Sequence, residues 1–121
     1  MKSQHMAYRN IDGKMHAMKM HHDYLYAMMA TALHLNVVNP LGSLCIIHPE
    51  DSTRYLRPLD DMKDTMYVLQ TLSLNVVSKP VNRTIVTSPC GEVVECAGLG
   101  DGQDFRTAVS YCAALVGEKN Q

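Results

Sequence analysis

Apolar residues recur at steps of three and four in three stretches of the chain, and between them the pattern shortens to runs of a few β-branched and apolar residues. In the first stretch Met15, Met18, His22, Leu25, Met29 and Ala32 keep the helical step, with Asp12 ahead of them as a cap. That spacing predicts one long helix through Leu33. The second helix begins at Asp60/Asp61 and puts Met62, Met66, Leu69 and Leu72 on one face, leaving Lys63, Asp64 and Gln70 elsewhere. The third takes Asp101 as N-cap, aligns Phe105, Ala108, Val109, Cys112 and Val116, sets Arg106 and Ser110 on the wet side, and stops at Gly117 as a left-handed terminator.

Short β-rich runs fill the gaps. Residues 43–48 and 53–57 flank Pro49-Glu50-Asp51-Ser52, and residues 83–88 and 92–97 flank Pro89-Cys90-Gly91, which reads as two hairpins. Residues 36–39 and 75–79 are lead-in strands. The two sets are related: Leu35-Asn36-Val37-Val38 recurs as Leu74-Asn75-Val76-Val77, each after a helical segment and before a proline, Pro40 or Pro80. Connections this short favour antiparallel pairing. The expected fold is therefore α+β, an antiparallel sheet with helices on one face. Residues 1–121 form a single domain in which a helix-plus-meander unit (22–60) is duplicated (61–100) and closed by a helix over 102–117. The strands of both units are expected in one sheet, with the helices from Asp61 and Gln103 side by side and Phe105, Val109, Cys112, Met66 and Leu69 buried.

Composition narrows the function. With 121 residues, a hydrophobic share of 46% and a net charge of −1, the chain is an ordinary globular one without a polybasic stripe, which argues against a nucleic-acid duplex as partner. No apolar run reaches the ~18 residues of a membrane span, and the first ten residues have no signal-peptide core, so the expected setting is the cytoplasm. Cys45, Cys90, Cys96 and Cys112 are then expected as reduced thiols.

Candidate chemistry is sparse. The six histidines and four cysteines show neither a Cys-x-x-Cys pair nor the i, i+4 spacing of helical zinc ligands, so no metal and no cofactor is assigned. Gly98-Leu99-Gly100-Asp101-Gly102 opens a helix as a phosphate loop would, but Asp101 and Asp104 occupy that end, and a turn with a cap accounts for it. Asp60, Asp61 and Asp64 read likewise as helix-start carboxylates. No nucleophile elbow or local Cys–His signature is present, so no catalytic residue can be named and a non-enzyme is expected.

Arg57-Pro58-Leu59-Asp60-Asp61, the following Met66-Tyr67-Val68-Leu69, two short strands, and the run from Asp104 to Leu115 resemble the phage ABA sandwich domain, a small α-β-β-α module of tailed-phage accessory proteins. The resemblance spans residues 57–117, about half the chain, and brings no functional residues with it. It implies a phage or prophage origin and, by analogy with small phage proteins lacking catalytic motifs, a counter-defence factor acting by occupancy. Three readings stay open: occupation of a host defence protein, sequestration of a nucleotide second messenger, and a structural accessory role. For a protein partner the candidate surface is the Met stripe of Met15, Met18, His22 and Leu25. For a nucleotide the candidates are Arg54, Tyr55, Arg57, Arg83 and Arg106, whose guanidinium forks suit phosphate while tyrosine offers a stacking face. The apolar groups on both sides of residues 44–47 add the expectation of a homo-oligomer.

Overall fold

The computed structural model describes residues 7–80, 83–100 and 102–121. Asp101, expected as the cap of the last helix, lies outside them. In chain order the elements are β1 (Ala7–Ile11), β2 (Lys14–Met18), α1 (His22–Leu33), β3 (Val37–Val38), β4 (Cys45–Ile47), β5 (Tyr55–Leu56), α2 (Met62–Thr71), β6 (Asn75–Lys79), β7 (Arg83–Thr87), β8 (Val93–Ala97) and α3 (Gln103–Lys119). The class is α+β and every strand pair is antiparallel. The strands fall into two sheets, however: five strands in the order β2-β1-β8-β7-β6 and three in the order β3-β4-β5. The expected single sheet does not form because the hairpin β1–β2 takes the free edge of β8, with Ala7 opposite Cys96 and Arg9 opposite Val94.

That hairpin also corrects the long first helix. Met15 and Met18 lie on strand β2, and α1 starts only at His22. Asp12 and Gly13 both have positive φ, 52° and 81°, the backbone of a two-residue hairpin turn, and Gly13 N–H donates to Asn10 Oδ1 at 3.0 Å. Asp12 is thus a turn residue and not a helix cap.

The order helix, then three-stranded meander, occurs twice: α1 leads into β3-β4-β5, and α2 into β6-β7-β8. The two helix exits match in detail. His34 and Ser73 take left-handed conformations, and the next residue closes back on the helix, Leu35 N–H to Ala30 O at 3.0 Å and Leu74 N–H to Leu69 O at 2.9 Å. These bonds satisfy carbonyls that the helix end would orphan. The repeated Leu-Asn-Val-Val therefore marks a helix stop with a strand directly behind it.

α3 lies across the large sheet. Thr84, Val86, Val94, Cys96 and Ala7 turn inward beneath it, while Arg83, Ile85 and Glu95 alternate to the uncovered face. Val109 and Cys112 are buried as expected and Phe105 is half-buried. Two positions on α3 differ from expectation. Ser110 is fully buried, and Gly117 lies within the helix instead of ending it. A Cβ on Gly117 would sit 1.9 Å from the Met28 carbonyl oxygen, so glycine is what lets α1 and α3 approach backbone to backbone. α1 supplies Leu25, Tyr26, Met28, Met29 and Leu33 to the same core.

On α2 the buried face is Asp64, Thr65 and Val68; Leu69 is half-buried, and Met62 and Met66 are exposed. The inversion has a polar cause. Asp61 caps the helix by accepting Lys63 N–H at 2.8 Å, and Thr65 donates to Pro58 O at 2.6 Å, which rotates the 64/65/68 face inward. Among the described residues no helix is long and apolar enough to cross a membrane.

Candidate functional site

The first turn of α1 is tied to the strand lead-in at Leu44. Asp23 Oδ1 accepts Leu44 N–H at 2.9 Å, and His22 Nε2 lies 3.3 Å from Leu44 O. A carbonyl only accepts, so Nε2 carries the proton in that contact. The His22 ring stacks on Tyr26 one turn later, centroids 4.3 Å apart and planes 22° from parallel.

This stack floors a cleft with two lobes. One, of about 230 Å³, is bounded by Ser43 and Cys45 on the β4 side and by Tyr55, Arg57 and Asp60 around the exit of β5. The other, of about 320 Å³, is bounded by Met20, Leu25, Leu59 and Tyr111. His22, Tyr26 and Asp60 belong to both, so they form the junction. Both lobes expose polar and apolar surface in similar proportion, and only the first is lined by an arginine. Burial, and next the Asp60 carboxylate, push the Tyr26 phenol up to about 12, so it stays a neutral hydroxyl at physiological pH. Met20 N–H donates to the Tyr111 hydroxyl oxygen at 3.2 Å and fixes the far wall.

The sequence-derived candidates are only partly brought together. Tyr55, Arg57 and His22 meet at the smaller lobe, and Leu25 reaches the larger one but is a buried core residue. Met15 and Met18 are on β2, so the expected helical Met stripe does not exist. Arg54 donates to Asp64 at 3.3 Å. Arg83 donates from Nε and Nη2 to Glu95, at 2.8 and 2.9 Å, on the uncovered sheet face. Arg106 donates to Leu59 O at 3.1 Å and to Gln103 at 3.1 Å. Arg57 differs from these three arginines. It is exposed, and among the described residues only its backbone is bonded: the N–H donates to Asp64 Oδ2 at 2.8 Å and the carbonyl accepts from Asp60 and Asp61 N–H at 3.1 and 2.9 Å.

Sequence reasoning missed Tyr26, Ser43, Leu59 and Tyr111, which no local pattern joins. Asp60 it assigned to capping; the cap is Asp61, and Asp60 is free to face the cleft. The third carboxylate of that group, Asp64, is 2% exposed and holds Arg54, the Arg57 backbone and, at 3.8 Å, His48. It is a structural anchor between β5 and α2.

A second buried carboxylate, Glu92, takes Arg9 at 3.1 and 3.2 Å and Lys119 at 3.2 Å, tying β1 and the end of α3 to the β7–β8 turn. All four cysteines are free thiols. Burial pushes Cys96 and Cys112 up to about 12, and at neutral pH they act as small apolar fillers. Among the described residues no three His, Cys, Asp or Glu side chains converge as a metal centre requires.

No protein-family model, curated protein or solved structure matches this chain.

Proposed function

We propose that this chain is a non-catalytic binding protein that acts by occupancy, sequestering a small ligand in the cleft between α1 and the small sheet. The setting is phage counter-defence, carried over from the sequence resemblance. One observation carries the cleft reading: the only sequence-singled arginine without a side-chain bond among the described residues stands at the rim of a pocket floored by an aromatic stack. A guanidinium of this kind is available to an anionic ligand, and the exposed His22 ring, stacked on the buried Tyr26, supplies a flat face beside it. No nucleophile paired with a base accompanies them, which fits holding a ligand and not turning it over.

The test is capture from infected host lysate with the purified protein, followed by mass spectrometry of small molecules and proteins in the eluate. A small molecule released by denaturation, and lost from Arg57→Ala, supports the reading. Recovery of a chemically converted ligand refutes the absence of turnover. A second reading, occupation of a host protein, draws on Met62 and Met66, exposed one turn apart on α2 at 41% and 37%. For that reading the eluate holds a protein that Met62→Lys/Met66→Lys releases. The uncovered face of the large sheet, with Val77 and Ile85 adjacent in register, supports a homo-oligomer; a monomer by light scattering at micromolar concentration removes it.

A further inference from the structure

Resting on the homo-oligomer reading, we infer that the partner is a second copy of this chain, joined edge to edge along β6 about a two-fold axis at Val77, so that the two large sheets become one continuous sheet. The two sheets of the fold leave four strand edges, at β2 and β6 of the large sheet and at β3 and β5 of the small one. An edge is a row of backbone N–H and C=O groups that another strand can pair. β3 and β5 have two residues each, too short to hold a partner. β2 has five, but Lys14 and His16 fall on its α3 side, with Arg9 opposite His16. Charges on an edge strand oppose pairing, and β2 laid against its own copy about its centre would set His16 on His16. β6 is as long without that guard. Four of its five residues are exposed, and its one charge, Lys79, stands at the end. Among the described residues, backbone hydrogen bonds reach Asn75–Lys79 from β7 alone.

The strand is also complementary to itself. A two-fold dimer pairs identical strands antiparallel, each residue meeting the one equally far beyond the axis. Centred on Val77, the register overlaps the whole strand: Val77 meets Val77, Val76 meets Ser78, and Asn75 meets Lys79. The ammonium thus faces an amide oxygen instead of a like charge, and the apolar side chain faces itself. On the uncovered face Val77 is 42% exposed beside Ile85, so pairing joins these two residues of both copies into one apolar strip. Arg83, the next cation inward, is held by Glu95 of its own chain. An unrelated strand would meet only the backbone groups, whereas a second copy satisfies the side-chain register as well.

The full chain is followed by light scattering over a dilution series and by hydrogen–deuterium exchange of the β6 amides. A dimer is expected. The alternate amides of Asn75–Lys79 that do not face β7 should exchange at least about 10-fold more slowly in concentrated than in dilute protein, because only the partner strand bonds them. Val77→Lys sets like charges on the axis and, with two changed residues per dimer, should weaken association at least about 10-fold. Met15→Lys, on the opposite edge, should leave it unchanged. Both positions are exposed, and circular dichroism verifies the fold of each variant.

A dimer whose outward β6 amides exchange as fast as in dilute protein overturns the edge pairing while the homo-oligomer reading stands, since packing of the sheets face to face leaves those amides in water. A dimer that Val77→Lys leaves intact, or growth beyond a dimer, which a closed two-fold contact forbids, does the same. A monomer at micromolar concentration overturns both.

Discussion

Alanine at position 117 sets two effects of opposite sign against each other. Helix propensity alone favours alanine over glycine inside a helix by about 1 kcal/mol, so an isolated α3 would gain. In the folded protein the added Cβ would lie 1.9 Å from Met28 O, 2.7 Å from Met28 C and 3.2 Å from Met28 Cα. These are backbone atoms of α1 and cannot rotate away as a side-chain end would. Relieving the closest contact requires the helices to part by roughly 1.1 Å, and a gap of that order forfeits up to about half of each dispersion contact along the seam. Overpacking of a close-packed core costs ~1–3 kcal/mol before that loss is added. With the propensity gain subtracted, Gly117→Ala should destabilise by about 2 kcal/mol, lowering Tm by roughly 8 °C in a chain of this size. Urea unfolding followed by circular dichroism measures it. A midpoint equal to or above wild type, at an unchanged slope with denaturant, would refute the backbone contact, because propensity would then have decided the sign.

Ser110 Oγ is buried and has no hydrogen-bond partner among the described residues, so Ser110→Ala removes an unsatisfied group and should leave stability unchanged or raise it by about 1 kcal/mol; a loss above that size in the same urea assay would show that the hydroxyl is bonded. Alkaline pH should unfold the protein. Tyr26, Cys96 and Cys112 have folded pKa values raised to about 12 from 10.0, 9.0 and 9.0, so the unfolded chain releases these protons first. Stability from these groups is intact below pH ~9 and falls between about 9 and 12, at up to ~1.4 kcal/mol per pH unit for each titrating group. Cys96→Ala/Cys112→Ala should delay the onset of that fall toward pH 10; an onset that does not move would contradict the assignment.

Much of the fold is legible locally. The period-three-and-four runs of α2 and α3, the Asp61 cap and the six β-rich runs depend on neighbours within a few residues, where steric and capping preferences act. The repeated Leu-Asn-Val-Val is likewise local, because the left-handed exits at His34 and Ser73 and their return bonds span only one helical turn. The N-terminal hairpin was also written there: Asp12-Gly13 between alternating residues is a hairpin signal, but Met15, Met18 and His22 mimic helical spacing, and short apolar runs satisfy both periods.

Other features depend on what arrives from far along the chain. Which face of α2 is buried was decided by Pro58 and the Asp64 anchor, not by its methionines. Whether Gly117 stops a helix or admits another depends on Met28 standing 89 positions away. The same holds for the cleft: the residue types of Arg57 and His22 were visible, but their meeting with Tyr26, Leu59 and Tyr111 was not. Side-chain spacing fixes local geometry through steric and hydrogen-bond terms of short range, whereas a pocket is the gap left when separate elements pack, and packing is set by contacts no single stretch of sequence contains.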